Sequence, residues 1–117
     1  MKQAHTYEIN IYVGSRVGYT HKHINKKVLE QICRDYTNEI GLCVTITPTK
    51  YIYVDGEEDG YIIGIINYPR FPKSERELLM EASDLAMCLM RGMKQHRVSM
   101  VTPDRTYMFE NREIDYD

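Results

Sequence analysis

Between Tyr7 and Ile40 the apolar residues change their period once, and that change limits what the chain can become. Tyr7, Ile9, Ile11 and Val13 alternate with Glu8, Asn10 and Tyr12, the two-residue period of a half-buried strand. After a loop over residues 14–23, Val28, Leu29, Ile32, Cys33, Tyr36 and Ile40 recur at helical spacing. Asn25 is placed to cap that helix and Gly41 to end it.

The same alternation of types follows once more. Residues 42–46 and 51–54 are rich in β-formers and precede a turn-like acidic stretch, residues 55–60, which leads into an isoleucine-rich third strand over 61–68. Pro48 has no backbone N–H to donate to a ladder, so the second strand is expected at a sheet edge. Ser74 with Glu77 has the form of a capping box, and Leu78, Leu79, Ala82, Leu85, Ala86, Leu89, Met90 and Met93 form the stripe of a long second helix. A last strand is expected over 97–102, then a turn at Pro103 and Asp104, a short extended piece over 106–109, and a frayed tail from about 110 to 117.

Two helices on one face of an antiparallel sheet, in the order strand, helix, strand, strand, helix, strand, predict an α+β fold of ferredoxin-like βαββαβ topology. Strands one and three are then central, and two and four lie at the edges. At 117 residues the chain is read as one domain. The topology brings the first loop (14–23), the acidic hairpin (55–60) and the junction after the second helix (94–97) to one end.

A net charge of −2 means that any nucleic-acid or membrane binding would need a local patch, and neither duplex nucleic acid nor a membrane is expected as a partner. No apolar run approaches a membrane span and no signal peptide is evident, so a cytoplasmic protein is expected. Cys33, Cys43 and Cys88 lack CxxC spacing and read as reduced core residues.

The candidate ligand site lies at the shared end. Arg16, Tyr19, His21 and Lys22 belong to a loop entering a helix N-terminus, and His96 and Arg97 can form a facing wall. Free backbone amides, positive charge and an aromatic ring suit a small anionic, nucleotide-like ligand. Neither GxxxxGK[ST] nor GxGxxG occurs, so no cofactor is implied. His21, His23 and His96 with Asp55 or Asp59 lack a diagnostic metal spacing and read as surface histidines, with no metal site expected. No catalytic residue is assigned. Ten tyrosines in a chain without tryptophan put Tyr12, Tyr51 and Tyr53 on strands, where they suit an interface between copies of the chain or with a host protein.

Three resemblances follow from these residues. The Gly-containing loop after strand one, the run Gly41-Leu42-Cys43-Val44-Thr45, the hairpin and the long second helix resemble small ferredoxin-like accessory proteins of tailed phages and bacteria. Cys43-Val44-Thr45-Ile46-Thr47-Pro48 with the tyrosine-rich hairpin resembles part of the CutA proteins, which implies trimers and a ligand site between subunits. Gly14-Ser15-Arg16-Val17-Gly18 resembles the acylphosphatase cradle, which implies phosphoryl chemistry. This chain departs from that family at Tyr19-Thr20-His21-Lys22 and at Thr45-Ile46-Thr47, where a catalytic asparagine belongs.

The functional expectation is a non-enzymatic oligomeric binding protein, a phage-type anti-defence accessory that sequesters a small nucleotide-like anion. The alternatives are a protein inhibitor or adaptor acting through the sheet face, and an acylphosphatase-like hydrolase.

Overall fold

The structure, a computed structural model, describes residues 1–111. In chain order it consists of β1 (Glu8–Gly14), α1 (Lys26–Ile40), β2 (Thr45–Tyr53), β3 (Gly56–Ile66), α2 (Glu75–Gly92), β4 (Arg97–Val101) and β5 (Thr106–Glu110). The five strands form one antiparallel sheet in the order β2-β3-β1-β4-β5. This is the expected α+β arrangement, consistent with a ferredoxin-like fold.

Strand alternation builds the core. Ile9 and Ile11 of β1 lie opposite Ile65 and Ile63 of β3, and Ile11 also lies opposite Met100 of β4. All five are essentially without exposure. Leu29 and Cys33 of α1, with Leu78, Ala82, Leu85, Ala86 and Leu89 of α2, complete the same cluster. Each fully buried isoleucine or leucine there contributes about 1.5–3 kcal/mol through lost apolar exposure.

Both helices begin and end where their sequence signals lie. Asn25 accepts a bond from the Lys27 amide, and Gly41 closes α1 with a left-handed φ of 77°. At α2 both halves of the Ser74–Glu77 capping box are formed. Two ends of the expected α1 stripe, Val28 and Ile40, are exposed, whereas Leu29, Cys33 and Tyr36 between them are buried.

Four expectations are corrected. The acidic stretch 55–60 is mostly strand: the hairpin turn holds only Val54 and Asp55, and Asp55 takes a φ of 60°. β2, by contrast, lies at the sheet edge as expected from Pro48, and runs unbroken through it. The extended piece after Pro103 is a true strand, β5, which pairs with β4 from Arg97 opposite Glu110 to Val101 opposite Thr106 and removes β4 from the edge. Cys33 is buried, its thiol pushed up to about 11 by burial and by Glu30, whereas Cys43 before β2 and Cys88 on α2 are exposed. Of the expected frayed tail, Glu110 belongs to β5 and the Asn111 amide donates to His96 O at 2.8 Å; residues 112–117 lie outside the described residues.

No helix among the described residues is long and apolar enough to cross a membrane.

Candidate functional site

The end of the sheet where β1, β3 and β4 meet the loops is held together by polar contacts that begin at Ser15. The Ser15 hydroxyl donates to Asp59 O at 2.6 Å. It has one proton, so the 3.0 Å contact with His23 Nδ1 requires the histidine to be the donor. Residues 15–24 fold back on themselves, with Val17 N donating to Lys22 O and Ile24 N to Ser15 O, both at 2.7 Å. Gly18, at a φ of 50°, turns the loop so that its amide reaches Lys94 O at 3.0 Å.

Arg16 joins this loop to the hairpin. Its amide donates to Glu58 Oε2 at 3.2 Å and its Nη2 to Glu57 O at 3.0 Å. Its Nε is buried and finds no hydrogen-bond partner among the described residues. Gln95, itself buried, donates from Nε2 to Arg16 O at 2.7 Å and to Met93 O at 2.8 Å, tying the loop to the end of α2.

The walls so formed enclose a cleft of about 360 Å³ lined by Arg16, Gly18, Tyr19, Tyr53, Glu58, Gln95, His96 and Arg97. That volume is within the range of small-ligand pockets. Tyr19 stacks on His96 with ring centroids 4.8 Å apart and planes inclined by 21°. Tyr19 keeps 79% of its surface exposed, so one aromatic face remains accessible beside the cleft. His96 Nδ1 lies 3.1 Å from the carbonyl of Asn111, which can only accept, so that nitrogen carries the proton. Arg97 Nε lies 3.6 Å from Glu110 on β5.

Of the residues singled out from sequence, Arg16, Tyr19, His96 and Arg97 come together around the cleft. His21 and Lys22 do not: both are exposed at the tip of the folded loop, and neither lines the cleft. No residue of α1 lines it either, so the expected site at that helix N-terminus gives way to one formed by the start of the loop, β3 and the approach to β4. Glu58, Gln95 and Gly18 were missed, and Tyr53 was assigned elsewhere.

Tyr12, Tyr51 and Tyr53 share the sheet face away from the helices, as the pairings of Tyr12 with Ile62, Tyr51 with Glu58 and Tyr53 with Gly56 require. They differ in what they offer. Tyr51 donates its hydroxyl to Tyr61 O at 2.8 Å, and burial with the nearby Glu58 charge pushes it up to about 12. Tyr53 is half exposed and Tyr12 partly buried.

No protein-family model matches this sequence, and no curated protein matches it. Two solved structures share its fold. A phage SAM lyase in complex with S-methyl-5'-thioadenosine superposes with a TM-score of 0.80 at 15% identity, covering 98% of this chain and 97% of that one. A phage SAM lyase in the apo state superposes with a TM-score of 0.72 at 15% identity, covering 93% and 92%. These neighbours agree with the expected likeness to phage accessory proteins; the CutA likeness is not shown by them. They overturn the expectation of a non-enzymatic sequestering protein, because the fold, matched over nearly its whole length, is one that phages use for an enzyme of S-adenosylmethionine.

Proposed function

We propose that this chain is a phage-type lyase that breaks S-adenosylmethionine at a carbon–sulfur bond and releases S-methyl-5'-thioadenosine. The observation that carries the reading is the position of the cleft, beside an exposed stacked aromatic, in a fold that matches a methylthioadenosine-bound SAM lyase from end to end. The accessible face of Tyr19 suits a purine, for which stacking on an aromatic ring is worth about 1–3 kcal/mol. Arg16 and Arg97, which both line the cleft, suit the methionyl carboxylate.

The chemistry asks for positioning more than for acid or base. When the bond from sulfonium to the methionyl γ-carbon breaks, both electrons stay on sulfur and a neutral thioether leaves without taking a proton. The carbon regains an electron pair from the substrate's own carboxylate, closing a five-membered lactone, so atoms and charge balance with no second reagent. Holding the substrate in the folded conformer that brings those two groups together accelerates such a step.

The reading carries two further parts. The chain assembles as a homo-oligomer through the open sheet face, where Tyr53, Ile66 and Met108 present exposed apolar surface. It works in the cytoplasm, where consuming S-adenosylmethionine deprives methyl transfer of its donor.

The test is direct. Purified protein is incubated with S-adenosylmethionine and the products are separated by liquid chromatography with mass detection. Release of S-methyl-5'-thioadenosine that falls at least tenfold in Tyr19→Ala supports the reading, and intact substrate after prolonged incubation with the folded wild-type protein overturns it.

A further inference from the structure

Beside the cleft, the space above a glycine is already claimed by oxygen atoms of two residues that line it, Glu58 and Gln95. A Cβ on Gly14, the last residue of β1, would lie 2.5 Å from Glu58 Oε2 and 2.8 Å from Gln95 Oε1. Gly14 does not share the positive φ of Gly18 and Gly41, so its backbone would accept a side chain; the space would not.

The two oxygens are there by construction. Both hydrogens of Gln95 Nε2 are committed, to Arg16 O and Met93 O, which fixes the carboxamide and turns Oε1 toward Gly14. Gln95 is only 8% exposed, so no other orientation is open to it without losing those bonds. Glu58 projects from β3 on the same sheet face as Gly14, held by the Arg16 amide at 3.2 Å. Glu58 and Gln95 therefore bring two acceptors to the lining of the cleft, one of them a carboxylate, while Arg16 and Arg97 line it as well and carry positive charge. A ligand whose positive and negative centres are separated would meet opposite charge at both.

Resting on the lyase reading, we propose that Gly14, Glu58 and Gln95 form a charge-reading subsite that receives the cationic centre of an adenosyl ligand, its sulfonium or its ammonium group. Gly14 determines the specificity of this subsite by leaving the two oxygens room to converge. A sulfonium is attracted there electrostatically, and an ammonium also donates to Gln95 Oε1 and Glu58 Oε2.

Three ligands separate the possibilities by calorimetric or competition binding. S-Methyl-5'-thioadenosine carries neither cation, S-adenosylhomocysteine carries only the ammonium, and sinefungin carries the ammonium and a protonated amine in the sulfonium position, on a carbon linkage that cannot be cleaved in the same way. Gly14→Ala adds bulk without charge, and Glu58→Gln removes charge without changing shape. In each variant sinefungin should weaken at least tenfold while methylthioadenosine changes less than twofold, with thermal unfolding confirming the fold. If adenosylhomocysteine weakens with sinefungin, the slot holds the ammonium; if only sinefungin weakens, it holds the sulfonium. Equal loss for all three ligands in Glu58→Gln, or no loss for any, overturns the subsite while leaving the lyase reading standing. A wild-type protein that binds none of the three overturns both.

Discussion

Tyr19 and His96 stack at 4.8 Å across two different loops, one leaving β1 and the other leading into β4. His96 is fixed at both ends of the contact with Asn111, whose amide donates to His96 O and whose carbonyl receives the ring nitrogen. The outer ring, Tyr19, is mostly exposed and contributes little to the core. Tyr19→Ala should therefore change the unfolding free energy by less than about 0.5 kcal/mol. The same change should weaken S-methyl-5'-thioadenosine binding roughly tenfold or more, the loss of one stacked base. Tyr19→Phe keeps the ring and should keep the affinity; calorimetric titration of both variants checks the pair of expectations.

Lys73 and Glu81 form an ion pair at 2.5 Å with side chains only 15% and 17% exposed, and the Lys73 amide also receives support from Asn67 Oδ1 at 2.9 Å. Removing one partner strands the other in a site with little water. Lys73→Met should cost about 3 kcal/mol, at the low end for a broken buried pair because both groups keep some solvent contact. The double change Lys73→Met with Glu81→Leu should recover most of that loss. Urea unfolding of the two variants measures both values.

The open sheet face carries Ile66 at 43% exposure and Met108 at 58%. If copies of the chain join there, Met108→Glu places a charge in the contact and should shift the mass measured by light scattering toward that of a single chain. The unfolding free energy extrapolated for the monomer should change little, since Met108 faces away from the core. An unchanged assembled mass, or a wild-type protein that is already monomeric, would set this interface aside.

How much of this was legible in advance depended on whether the signal was local. Ser74 and Glu77 announce α2 because a capping box is complete within four residues, and Asn25 and Gly41 bracket α1 for the same reason. Tyr7, Ile9, Ile11 and Val13 reveal the inner face of β1 through their period alone. The start of β3 was hidden. Gly56, Glu57, Glu58, Asp59 and Gly60 have turn composition, yet they pair with Tyr53 back to Thr49, and the rings of Tyr53 and Tyr51 cover the glycines. Such cross-strand packing overrides propensity and depends on the partner strand. Missing that strand meant missing Glu58, and with it one wall of the cleft. His21 and Lys22 failed differently: spacing placed them in the right loop, but the bonds from Val17 to Lys22 and from Ile24 to Ser15 fold that loop so that its tip points outward.

Tyr51 ties the hairpin to the sheet centre, and its hydroxyl has a pH signature. It donates to Tyr61 O at 2.8 Å, and burial followed by the Glu58 charge pushes it from the ordinary tyrosine value up to about 12. The protonated form is thus favoured in the folded state. Its contribution is fully present below about pH 10, where folded and unfolded chains both hold the proton, and is lost as pH rises from about 10 through 12 because only the folded chain then retains it. Tyr36, also pushed up to about 12 by burial, falls in the same window, and Cys33, raised to about 11, begins to act from about pH 9. Stability should therefore stay level through neutral pH as far as these groups are concerned and decline between about pH 9 and 12. Tyr51→Phe should cost about 1 kcal/mol at pH 8, where a hydrogen bond is lost, and should make the decline above pH 10 shallower. Urea midpoints measured at intervals from pH 8 to 11.5 test the sign: a variant whose stability falls as steeply as the wild type would show that Tyr51 is not among the groups that hold their protons in the fold.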